Sequence, residues 1–139
     1  MQSTPSSAAP HILVVDDDED SCIIYERFLS LAGFETSSAR SAIDAFMRAR
    51  STPPAAVVLD LVLPDMHGSE LALLFRTTPA LEKIPIVGIT ARVTPELIKD
   101  PTTVPVTRLL VKPATSASLV GAVRQVIDET ALVAREAVR

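Results

Sequence analysis

Val57-Val58-Leu59-Asp60-Leu61-Val62-Leu63-Pro64-Asp65-Met66-His67-Gly68 is the stretch on which the fold turns. It is a short β-branched apolar run that stops at a carboxylate and then enters a proline turn. An apolar run without polar alternation belongs to a strand covered on both faces, which in practice means a parallel sheet under two layers of helix. Outward from it, similar runs lie at 11–15, 34–38, 85–89 and 107–111, with the central one at 56–59, and segments of helical period separate them. The chain reads as one α/β domain of five strands and five helices.

The helices follow from apolar spacing. Ile24, Phe28 and Leu31 mark the inward face of the first, ahead of a C-capping Gly33. Ile43, Phe46 and Met47 mark the second, after Ser41; Leu71, Leu74 and Phe75 mark the third, after Gly68. Thr94-Pro95 opens a fourth, held to about 95–100 because Pro101 and Pro105 cannot sit inside a helix. The last runs from about Ser116 with Leu119, Val123, Val126, Ile127 and Thr130 on one side, and 131–139 extends it. Residues 1–10, rich in Ser, Pro and Ala, read as a disordered tail before a domain at 11–130.

Composition narrows the function classes. With 139 residues, 47% of them hydrophobic and 22% charged, one core is expected. A net charge of -4, with 4% aromatic residues and no Trp, gives neither the basic face nor the stacking platform of a direct nucleic-acid binder. Cys22 is the only cysteine, so no internal disulfide forms and a cytoplasmic, reducing compartment is the default. Met1–Pro10 has no signal-like apolar run, and no membrane span or membrane partner is expected.

Chemistry gathers where polar residues follow strands, because an open α/β sheet builds its site at the carboxyl ends of its strands. Asp16 and Asp17 stand at the end of the first strand, Asp60 of the third, Thr90 of the fourth and Lys112 of the fifth. Converging carboxylates repel unless a cation joins them, and an all-oxygen set without His or Cys suits magnesium or a similar hard ion. Lys112 adds a point positive charge for an anion and Thr90 a hydroxyl donor. Asp18, Glu19 and Asp20 read more simply as a solvated acidic start to a helix, Cys22 as a buried small apolar residue, and His11 and His67 as incidental. Alone, Thr90 would read as a cap and Lys112 as a surface lysine; together with the acids they form minimal equipment for phosphoryl transfer to a carboxylate.

The blocks Ile12-Leu13-Val14-Val15-Asp16-Asp17, Val57 to Gly68, Ile89-Thr90-Ala91 and Lys112-Pro113, in this order and at these separations, resemble the response-regulator receiver domains of two-component signalling, CheY-like, over essentially all of 11–130. The resemblance implies a flavodoxin-like doubly wound (βα)5 fold, its parallel sheet ordered 2-1-3-4-5. It implies that Asp60 accepts a phosphoryl group from a phosphohistidine of a sensor histidine kinase or histidine phosphotransfer protein. It implies Mg2+ or Mn2+ held by Asp17, by Asp16 mostly through water, by Asp60 and by the main-chain carbonyl of Val62. Thr90 would move towards the phosphoryl oxygen, Lys112 would pair with it, and the Lys112-Pro113 bond would be cis. The chain would be a phosphorylation-controlled switch that acts on its own phosphorylation only, passing its state to a downstream protein effector.

Two positions depart from the family pattern. Leu109 stands where an aromatic is usual three residues before the lysine, and Ala114 where Phe commonly follows the Lys-Pro pair. With the proline-broken fourth helix, they alter the face that many receivers use for dimerisation, so a pseudo-receiver serving as a protein-interaction module is the alternative reading. An aspartyl phosphatase is disfavoured because the residue two after the acceptor is Val62, not an acid. Val62 and Arg92 instead point to slow self-dephosphorylation, since an apolar Val62 cannot orient an attacking water and Arg92 could pair with an acid across the site mouth or shield it. An apolar stripe through Leu132, Val133 and Ala137 suggests a homodimer through the last helix. No DNA-binding helix pair or catalytic segment follows, which fits a single-domain regulator and a piece of a longer one equally.

Overall fold

A computed structural model describes residues 9–91 and 105–138. In chain order the elements are β1 (His11–Val15), α1 (Glu19–Leu31), β2 (Glu35–Ala39), α2 (Ala42–Ser51), β3 (Ala56–Asp60), α3 (Gly68–Arg76), β4 (Ile86–Thr90), β5 (Arg108–Val111) and α4 (Ser116–Val138). The strands form one parallel sheet ordered β2-β1-β3-β4-β5, as expected. Strand boundaries fall within one residue of those read from the sequence. The short helix expected over 95–100, Arg92, and most of the 1–10 tail lie outside the described residues.

The unbroken apolar runs are explained by two cores, one on each side of the sheet. Ile12, Val14, Ala56, Val58, Val87 and Ile89 face α1 and α4, packing with Cys22, Tyr25, Leu29, Leu119, Val123 and Val126. The alternate residues Leu13, Val15, Val57, Leu59 and Ile86 face α2 and α3, packing with Ala42, Ala45, Ala49, Leu71, Ala72 and Phe75. Each fully buried Leu, Ile or Phe contributes roughly 1.5–3 kcal/mol relative to exposure, and neither strand face has a polar side to give up. The edge strands are the exceptions: in β2 Thr36, Ser37 and Ser38 are only half-buried, and in β5 Arg108, Leu109 and Leu110 are half-buried and Val111 is exposed.

The expected faces of α1 and α2 need correction, although Phe28 and Phe46 are half-buried against the cores as expected. α1 buries Cys22, Tyr25 and Leu29, leaving Ile24 exposed and Leu31 82% exposed. Both Ile24-Phe28-Leu31 and Cys22-Tyr25-Leu29 have helical spacing, and the anchoring of the first turn selects the second: Asp18 caps α1 by accepting from the Ser21 N–H, and the Cys22 thiol donates to the Asp16 carbonyl at 3.3 Å. α2 buries Ala42, Ala45 and Ala49, while Ile43 is 62% exposed and Met47 is also outward. A face of alanines, having nothing beyond Cβ, lets the helix lie close to the sheet. In α3, Leu71 and Phe75 are buried as expected and Leu74 is turned to solvent.

Helix ends follow local chemistry. Gly33 has φ +101°, the left-handed conformation that ends α1, and the Phe34 N–H returns to the Leu29 carbonyl at 3.1 Å. α4 continues to Val138, and every side chain from Ala131 to Glu136 is exposed, so the helix has left the core by then. Among the described residues no helix is long and apolar enough to cross a membrane.

Candidate functional site

Parallel register brings the polar residues to one rim. Val15 pairs with Leu59, Asp60 with Ile89 and Thr90 with Val111, so Asp16, Asp60, Thr90 and Lys112 emerge at successive carboxyl ends of four adjacent strands. The ladder runs on past the strands: the Asp16 N–H donates to the Ala39 carbonyl at 3.1 Å and the Lys112 N–H to the Thr90 carbonyl at 2.7 Å. The Lys112-Pro113 peptide is cis.

Asp16 is 1% and Asp60 6% exposed, and Thr90 is also buried; Asp17 faces solvent. One carboxylate oxygen from each of Asp16, Asp17 and Asp60 lies within 4.8 Å of the others. Lys112 Nζ sits 3.1 Å from Asp60 Oδ2 and 3.4 Å from Asp16 Oδ2. Main-chain donors hold the other oxygens: the Asp18 N–H donates to Asp16 Oδ1 at 2.9 Å and the Val62 N–H to Asp60 Oδ1 at 3.0 Å. Three acids against one ammonium leave negative charge in excess, and the consequences are local. Burial, with Asp60's charge adding, raises the pKa of Asp16 against the opposing Asp18 N–H and Lys112. Burial would lower that of Lys112, but the hydrogen bond and charge of Asp60, then the charge of Asp16, outweigh it and raise the pKa. An all-oxygen acidic set with excess charge, two of its members buried, fits a hard divalent cation.

The remaining expectations sort themselves by position. Asp18 caps α1, with Glu19 and Asp20 in its first turn. His67 caps α3, its Nδ1 accepting from the Ser69 N–H at 3.1 Å, and His11 pairs through Nε2 with Ser37 Oγ at 2.7 Å; neither joins the acidic cluster. Burial and the neighbouring Asp16 push the Cys22 thiol up to about 11, in keeping with a buried, unreactive residue. Val62 is 63% exposed at the mouth. Its carbonyl, expected as a metal ligand, belongs to a hairpin in which the Gly68 N–H donates to the preceding carbonyl, that of Leu61, at 2.8 Å.

Two residues near the site carry roles that the sequence reading did not assign. A Cβ on Gly68 would stand 2.6 Å from Leu61 Cα and 2.7 Å from the Asp60 carbonyl oxygen, so α3 can abut the end of β3 only through glycine. A glycine opening a helix, where a side chain would favour it, was the available signal. Asp65, read as a turn residue, accepts from the N–H groups of Ala42 and Ile43, both at 2.9 Å, and these bonds lower its pKa. Nothing in local spacing announces that contact, which spans more than twenty residues.

A family model described as the response regulator receiver domain matches residues 12–124. The transcriptional regulatory protein PrrA of Mycobacterium leprae is 36% identical over 85 residues, covering 61% of this chain and 36% of PrrA. The polar-differentiation response regulator DivK of Brucella ovis is 28% identical over 80 residues, covering 58% of this chain and 65% of DivK. The match therefore spans about a third of the length of PrrA and just under two thirds of DivK. Among solved structures, the Vibrio cholerae chemotaxis protein CheY4 superposes with a TM-score of 0.79 at 26% identity, covering 86% of this chain and 99% of that one. A sensor protein from Polaromonas sp. JS666 superposes with a TM-score of 0.81 at 27% identity, covering 87% of this chain and 98% of that one.

Proposed function

The chain belongs to the response regulator receiver domain family, and from that premise we propose that Asp60 is its phosphoacceptor, charged by a phosphohistidine of a histidine kinase or histidine phosphotransfer protein with a divalent metal present. The observation that carries this reading is the cluster itself: oxygens of Asp16, Asp17 and Asp60 within 4.8 Å, and Lys112 Nζ 3.1 Å from Asp60. In the transfer, a carboxylate oxygen of Asp60 attacks phosphorus, the O–P bond forms, the N–P bond of the donor breaks, and the donor imidazole leaves with its electron pair. The Val62 N–H and the β3 ladder hold the carboxylate in one orientation. Lys112 exchanges its contact with Asp60 for a phosphoryl oxygen, and the Thr90 hydroxyl donates to another. Mg2+ or Mn2+, held by Asp16, Asp17, Asp60 and the Val62 carbonyl, would supply neutralisation of the charge on the transferring group.

Labelling with a small-molecule phosphodonor and Mg2+, and metal-dependent binding of fluoroberyllate, test the assignment: both are expected in the wild type and neither in Asp60→Asn. Equal behaviour of the two proteins would leave the pseudo-receiver reading, which Leu109 and Ala114 favour at the β5 face. The exposed apolar Val62 supports a long-lived acyl phosphate. Val62→Asn is expected to shorten it, and an unchanged or slower decay removes the idea. Exposed Leu132 and Val133 on the free end of α4 support pairing of two copies; sedimentation of the chain against one ending at Thr130 decides it, two monomers being the contrary result. The same reading sets the receiver fold at 11–130, places the protein in the cytoplasm and sends its signal to a protein partner.

A further inference from the structure

The first turn of α2 is capped from outside the helix. Its own N-cap, Ser41, serves only Asp44, whose N–H reaches Ser41 Oγ at 3.1 Å, and the Ser41 carbonyl receives the Ala45 N–H at 3.0 Å. The two amides before them, Ala42 and Ile43, each donate to one oxygen of Asp65 at 2.9 Å. Orphan donors at a helix start are ordinarily met by the helix's own cap or by water; here they are met by the loop that leaves the acceptor strand. That loop is a tight hairpin. Its base is the bridge between Val62 and His67, closed by the Gly68 N–H on the Leu61 carbonyl, and Asp65 lies near its tip. At the base the Val62 N–H is bonded to Asp60 Oδ1 at 3.0 Å. A continuous chain of bonds thus runs from the Asp60 carboxylate through the Val62 main chain and the hairpin to α2, whose Ala42 and Ala45 are wholly buried against the sheet.

We propose that Asp65 is a positioning residue of the acidic pocket: by clasping α2 it fixes the hairpin that carries the Val62 main chain, so that cation occupancy at Asp60 and the order of the first turn of α2 are linked. The proposal rests on the function assigned to the pocket above. Linkage is reciprocal, so loosening the clasp weakens the cation and binding the cation perturbs the clasp. The coupling has a bistable element of stated identity, a two-point bond that is made or broken, rather than a diffuse pathway. Asp65 is not one of the clustered acids Asp16, Asp17 and Asp60, and a search for ligands would not find it.

The test is Mg2+ titration by calorimetry and by 1H–15N spectra, on the wild type, Asp65→Ala, Asp65→Asn and Ser41→Ala. In the wild type, Mg2+ shifts the amide resonances of Ala42 and Ile43. In Asp65→Ala those amides lose their protection and Mg2+ binds about fivefold more weakly or worse, the low end of coupling between linked sites. Asp65→Asn, which keeps one comparable acceptor, falls between. Ser41→Ala loosens the same helix from its own side and leaves Mg2+ affinity at the wild-type value. Wild-type affinity in Asp65→Ala overturns the proposal, as does an equal loss in Ser41→Ala, which would trace the effect to helix stability alone. A wild type that binds no Mg2+ overturns the reading of the pocket instead, and with it the basis for the clasp.

Discussion

Asp65 and Gly68 show how single residues hold a site without entering it. Replacing Gly68 with Ala sets a Cβ against main-chain atoms of Asp60 and Leu61 that no rotamer change can clear. The cost expected is about 1–3 kcal/mol, typical of overpacking at a rigid contact. Urea unfolding measures the loss, and phosphorylation of Asp60 should slow with it; an unchanged midpoint would show that α3 can retreat. The Asp65 clasp has a pH signature whose sign follows from its lowered pKa. A carboxylate lowered from 3.8 by two amide donors stabilises the fold fully above that value and loses its contribution as pH falls through the folded pKa. The amide resonances of Ala42 and Ile43 should therefore stay constant down to about pH 4 and move together below it. Independent movement of the two would contradict a shared partner.

At the scale of elements, strands were legible and helix faces only partly so, for a physical reason. A strand buried on both faces has one pattern, an apolar run, and β1, β3 and β4 carry it without ambiguity. An amphipathic helix needs a phase, and α1 offers two, of which the one that reads as more apolar is not the one it buries most fully. The packing that chooses between them comes from Asp16, Asp18 and Cys22 at the site edge, contacts that span the loop. α2 misleads because Ile43 and Met47 face out while its alanines face in, and only Phe46 of the expected set turns partly inward, against Phe75. The corrected phase predicts unequal costs: Leu29→Ala should lose about 2–5 kcal/mol as a core truncation, and Ile24→Ala under about 1 kcal/mol as a surface change. Thermal or urea unfolding of the two variants reads the difference, and similar losses would return Ile24 to the core. The far end of the sheet has its own tie, again invisible to spacing: the half-buried Arg76 donates to the Ile84 carbonyl at 2.7 Å and to that of Glu82 at 3.2 Å, closing the turn between α3 and β4.

For the whole molecule, parallel topology explains why so much of the site was readable. Once five strands run the same way in the order β2-β1-β3-β4-β5, the residues following β1, β3, β4 and β5 must share a rim, whatever their separation in sequence. Asp16, Asp60, Thr90 and Lys112 needed only correct strand ends to be found. The Asp65 clasp and the Gly68 contact depend on how the β3–α3 connection folds back, which strand ends do not specify. Phosphoryl acceptance at Asp60 remains the claim on which the rest depends, and its most direct measurement is the mass and hydroxylamine sensitivity of the protein after exposure to a small-molecule phosphodonor with Mg2+. The wild type should gain one phosphoryl group, removable by hydroxylamine as an acyl phosphate must be, and lose the gain when Mg2+ is chelated beforehand. Asp60→Asn labelled to the same extent, or a wild type that takes up no phosphoryl group, would contradict it.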